Sequence, residues 1–128
     1  MSEGAILKLF EVEFYDDKDG REPIKEYIDE LQEKGKTSKK DRNRADKIYR
    51  YIRALQRTGT KAGLPYVKHI DGDIWELRPD NNRIFLFFWK DSTFVLVHHF
   101  IKKTSKTPKR EMDKAKRNML DYLERYPR

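Results

Sequence analysis

"RIFLFFWK", residues 83–90, is followed after two polar residues by "TFVLVHHFIKK", residues 93–103, and neither run alternates. A strand with one wet face alternates apolar and polar side chains. Strands apolar on both parities therefore belong in a sheet covered on both sides. Any chain containing this pair must supply layers for both faces, and the flanking segments read as those layers.

Before the pair, Ile6, Phe10, Val12 and Phe14 share a parity in "AILKLFEVEF", residues 5–14, which predicts a first strand. "DDKDG" is a turn. Pro23 opens a helix in which Ile24, Tyr27, Ile28 and Leu31 recur at helical spacing, and Gly35 stops it. "SKKD", residues 38–41, has capping-box spacing with Asp in the usual Glu place. The next helix buries Ala45, Ile48, Tyr49, Ile52 and Leu55 and ends at Gly59. The short link makes the two helices a hairpin.

"LPYVKHI" and "DIWELRP" predict two short strands, the second with Trp75 and Leu77 on one face and Ile74, Glu76 and Arg78 on the other. After the long pair, Thr107 is placed to cap a last helix with Pro108 at its first position. Met112, Ala115, Met119 and Leu123 line one side of that helix. Short successive connections favour antiparallel pairing, hence an α+β fold with a helical hairpin near the N-terminus and a helix at the C-terminus. At 128 residues a single domain over 1–128 is expected.

Charge narrows the partners. Charged residues make up 40% of the chain and the net charge is +7, but residues 1–33 hold 4 Lys/Arg against 11 Asp/Glu. The remainder is strongly cationic, which suits a polyanion such as nucleic acid. The absence of cysteine excludes disulfides, thiolate metal sites and a Cys nucleophile. No stretch has the length of a membrane span, and no signal-peptide layout is visible, so a cytoplasmic protein is expected.

"ELRPDNNRIF" carries the sharpest chemistry. Pro79, Asp80, Asn81 and Asn82 are turn residues, so Arg78 and Arg83 should face each other on one side of a hairpin. Opposed side chains lie about 5 Å apart at Cβ, where like charges repel. Such a pair persists if Glu76 neutralises it, or if it binds an anion through the planar guanidinium fork. Both alternatives stand. Lys102, Lys103, Thr104, Ser105, Lys106, Thr107, Lys109 and Arg110 add cations and hydroxyls after the last strand, and Lys68 adds another from a neighbouring strand. His98 and His99 have opposite parities, so at most one reaches that face. His99 shares parity with Lys103 and is the candidate for acid–base chemistry, with Glu76 beside it. Tyr49 and Tyr51 read as helix packing.

"LPYVKHIDGDIWELR", "NRIFLFF" and "HHFIKKTSKTPKREMDKAKR" together resemble the HigB-like, phage-derived branch of the RelE/ParE toxin superfamily. "WELR" and the F-x-KKT-x-KTP run are the most specific elements. The resemblance implies a helical hairpin on an antiparallel sheet, a helix-turn-helix antitoxin as partner, and a toxin that is monomeric when free. It also implies ribosome-dependent cleavage of mRNA with no cofactor and no metal, the 2′-hydroxyl beside the scissile phosphate being the nucleophile. By position, Arg78, Arg83, Lys102 and Lys103 would serve catalysis, and Lys68, Thr104, Lys106, Lys109 and His99 would bind RNA. Glu111 and Met112 stand where RelE carries a tyrosine, which leaves the general base open. The same fold also serves ParE-like topoisomerase poisons and non-catalytic phage nucleic-acid-binding proteins.

Overall fold

A computed structural model describes residues 8–128. The chain runs β1 (Glu11–Phe14), α1 (Pro23–Lys34), α2 (Lys39–Thr58), a short 3-10 turn (Gly59–Ala62), β2 (Val67–Asp71), β3 (Ile74–Leu77), β4 (Asn82–Lys90), β5 (Thr93–Ile101) and α3 (Lys109–Arg125). The five strands form one α+β sheet in the order β1-β5-β4-β3-β2. Residues 5–7 of the expected first strand lie outside the described residues, and the strand itself begins at Glu11.

The two long apolar strands, β4 and β5, lie inside the sheet with neighbours on both edges. Its two faces are covered by different layers. Ile84, Leu86, Phe94 and Leu96 pack under the α1–α2 hairpin with Ile28, Ile48 and Leu55. Phe85, Phe87, Val95 and Val97 pack under α3 with Ala115 and Tyr122. Burying both parities in this way is why the middle of each strand, Ile84–Phe88 and Phe94–Val97, is apolar without alternation.

The expected antiparallel pairing holds from β2 through β3 and β4 to β5. The sheet is antiparallel except at its edge, where β1 runs parallel to β5 from Glu11 opposite Thr93 to Phe14 opposite Leu96. Most of the chain separates β1 from β5, so no hairpin dictates their relative direction.

The helix ends follow local chemistry. Pro23 fills the first turn of α1, and the Ser38 side chain accepts from the Asp41 N–H at the start of α2. Gly35 ends α1 for a reason other than the expected left-handed cap: its φ of −65° is right-handed. A Cβ there would lie 2.9 Å from the Arg42 backbone, so the glycine permits close approach of the hairpin helices. At α3, Pro108 is the cap residue, the helix begins at Lys109, and no side chain caps it, contrary to the role expected of Thr107. Tyr51 is buried in α2, while Tyr49 is half-buried and packs at the margin of the same core. None of the helices described is long and apolar enough to cross a membrane.

Candidate phosphate-binding site and its acid–base neighbours

The β3–β4 hairpin turns through Pro79–Asn81, with Asp80 at a positive φ of 56°. Leu77 pairs with Ile84, and that register extended by one step sets Arg78 against Arg83 on the α3 face. The predicted opposition of two guanidiniums is present, and so is the neutralising carboxylate. Glu76 Oε1 lies 3.2 Å from Arg78 Nε and 3.7 Å from Arg83 Nε. Neither contact has hydrogen-bond geometry, and Glu76 Oε2, Arg78 Nε and Arg83 Nε are buried without hydrogen-bond partners. The three side chains are held together by charge rather than by directed bonds.

The two arginines are not equivalent. Arg83 is 9% exposed, and its Nη1 donates to the Asp80 and Asn82 carbonyls at 2.6 and 2.8 Å. It thereby fixes the hairpin from inside. The Arg78 side chain is 26% exposed and is the guanidinium offered to solvent. Glu76, 2% exposed, has its pKa raised by burial, against the opposing pull of Arg83, Arg78, Lys102 and Lys68. Burial likewise lowers the Arg83 pKa despite Glu76. Four cations thus act on one carboxylate, leaving a surplus of positive charge.

The cationic neighbours come from adjacent strands. Lys68 on β2 pairs with Glu76 on β3, and the Lys102 N–H donates to the Asn81 carbonyl at 2.8 Å, beside the same hairpin. Lys103 and Lys106 are exposed and make no ion pair among the described residues. Thr104 donates its hydroxyl to the Lys106 carbonyl and so shapes its own turn, while Lys109 pairs with Asp113 on the α3 surface.

His99 faces the other way. Its register partner is Ile84, and its ring stacks on Tyr27 of α1 at 4.1 Å. Its Nε2–H and the Tyr27 hydroxyl both donate to Asn82 Oδ1, at 2.9 and 3.0 Å. Burial pushes its pKa down to about 4, so it is neutral near pH 7. The ring pins the first residue of β4 from the α1 side, and the sheet separates it from the arginines.

Past the irregularity in β5, His98 and Phe100 reach the arginine face, since Arg83 pairs with Phe100 and Phe85 with His98. His98 Nε2 lies 3.0 Å from Glu111 Oε1 of α3, with side-chain exposures of 16% and 11%. Phe85 and Phe100 flank the imidazole with ring centroids at 6.4 and 6.2 Å. One row across the sheet therefore reads Lys68, Glu76, Phe85, His98. The histidine–carboxylate pair stands two strands from the arginine-bound carboxylate, on the same side. Sequence parity pointed to His99 instead. The signal that identifies His98 is the register of β4 with β5, together with the helical placement of Glu111 above it.

A mixed sheet with a helical hairpin on one face, and a basic hairpin beside a C-terminal helix on the other, defines a small α+β protein with a cationic sheet surface. The chain belongs to the family described as phage-derived Gp49-like protein (DUF891), whose profile matches residues 26–120. That match runs from α1 into α3 and includes Glu76, Arg78, Arg83, His98 and Glu111. No curated protein matches the chain.

Proposed function

We propose that this protein is the toxin of a toxin–antitoxin pair, a single RelE/ParE-like domain that cuts mRNA on the ribosome in the cytoplasm. A helix-turn-helix antitoxin holds it inactive, and the free toxin is a monomer. The observation that carries the reading is the cluster of Arg78, Arg83, Lys68 and Lys102 around the single carboxylate of Glu76. One buried carboxylate neutralises only part of that charge, and the partly exposed Arg78 is where a phosphodiester can approach. The F-x-KKT-x-KTP resemblance and the phage-derived family add to it.

In the proposed reaction the 2′-oxygen attacks the adjacent phosphorus and the bond to the 5′-oxygen breaks. The products are a 2′,3′-cyclic phosphate and a free 5′-hydroxyl. Arg78 and Lys103 stabilise the charge that develops on the phosphoryl oxygens, and Arg83 and Lys102 add positive potential from behind. In this reading His98, held by Glu111, is the histidine on this face that exchanges a proton with a substrate hydroxyl.

The test is to incubate the purified protein with mRNA, alone and with programmed ribosomes, and to characterise the new ends. Cyclic phosphate and 5′-hydroxyl ends that Arg78→Ala abolishes support the reading. Growth arrest on expression without any new RNA end refutes it, and directs attention to the ParE-like alternative of topoisomerase binding.

A further inference from the structure

A cavity lies on the opposite side of the sheet from the arginine cluster. It is a groove of about 810 Å³ between the end of α2, the 3-10 turn and the sheet. Leu9, Tyr66, Trp75 and Phe88 line it, with Leu9 56% exposed and Phe88 43% exposed. Isolated exposed apolar side chains are ordinary, but aligned along one groove they mark a contact surface.

The rim of the groove is basic. Arg57 and Lys61 border it, and Arg57 and Tyr66 are shared with an adjoining recess that also holds Arg50 and Arg53. No carboxylate lines either recess, and these four cations enter no ion pair among the described residues. We infer that this groove docks an acidic amphipathic helix of another protein, its apolar side against Phe88 and Leu9 and its carboxylates against Arg57 and Lys61. The inference is independent of RNA cleavage.

Two other occupants fit less well. A second copy of this chain would bring two like-charged rims together, at a net charge of +7 each. Single-stranded RNA would need open aromatic faces for stacking. Here Tyr66, Trp75 and Phe88 are each in edge-to-face contact with a neighbour, namely Tyr51, His69 and Phe94.

The test uses the full chain and a fluorescein-labelled helical peptide with Leu at i, i+3, i+4 and i+7 and Glu elsewhere, read by fluorescence anisotropy. Saturable binding at submillimolar concentration is expected, weakened at least tenfold by Phe88→Asp and by the double substitution Arg57→Glu, Lys61→Glu. Arg78→Ala should bind as the parent does. Any of six results overturns the inference. The peptide fails to bind, or a permuted peptide of equal composition binds as well. The groove substitutions change nothing. Oligouridine competes and is lost through the same substitutions. The chain sediments as a dimer that Phe88→Asp dissolves. Binding appears only after residues 1–7 are deleted.

Discussion

Asn82 and Arg83, adjacent at the start of β4, send their side chains to opposite faces of the sheet. Asn82 is held by Tyr27 and His99 on the α1 side, and Arg83 meets Glu76 on the α3 side. The hairpin that presents Arg78 is thus clamped from both faces. Damage to the clamp on one face should be felt at the cluster on the other.

His99 makes that clamp dependent on acid. Its pKa is about 4 in the folded chain against 6.5 when exposed, so the unfolded state binds a proton first as pH falls. Its contribution is intact above pH 6.5 and is lost progressively toward pH 4, amounting to at most about 3 kcal/mol. Urea unfolding at pH 7 and pH 5 should show a smaller acid-induced loss in His99→Gln than in the parent. Equal losses would show that His99 does not carry this dependence.

Glu76 acts in the other direction. A raised carboxylate pKa means that the folded state holds the proton more tightly than the unfolded chain. That stabilisation is complete below the ordinary glutamate range and disappears as pH rises through the raised value. Glu76→Gln should flatten this part of the stability–pH curve. Its phosphate affinity at neutral pH should rise, because the two guanidiniums lose their internal anion. A curve unchanged by the substitution would contradict the assignment.

Gly35→Ala tests the packing of the helical hairpin. The added Cβ would meet the Arg42 backbone at 2.9 Å, so the helices must separate. A loss of about 1–3 kcal/mol is expected in urea unfolding, as for other overpacked contacts.

The His98–Glu111 pair is separable from the fold by its effect on rate. His98→Gln should lower RNA cleavage by about 10²–10⁴-fold. Glu111→Gln should cost less and change the pH dependence of the rate. A purely structural pair would lower the melting temperature of both variants and leave the rate per folded molecule unchanged.

Much of this architecture is legible in the sequence because burial leaves a mark on it. The apolar runs of β4 and β5 announce a sheet covered on both faces, and the spacing of Ile24, Ile28 and Leu31 announces a helix. Arg78 and Arg83 could be paired in advance because four turn residues separate them. The parallel β1–β5 contact left no such mark, since neither strand records the direction of a distant partner. The face of His98 was hidden for a related reason. Irregularities at Phe85/Leu86 and at Phe88/Lys90 break simple alternation between β4 and β5, so parity counted along β5 alone misplaces its end. The non-equivalence of the arginines depends on Arg83 turning back to its own hairpin carbonyls, which residue type does not encode.

The most direct test is to map mRNA 5′ ends genome-wide after brief induction of the parent chain and of Arg78→Ala, with circular dichroism to confirm that both fold. New ends in the parent and a background profile in folded Arg78→Ala are predicted. The same new ends from both chains, or none from the parent, would contradict a phosphodiester as the ligand of this cluster.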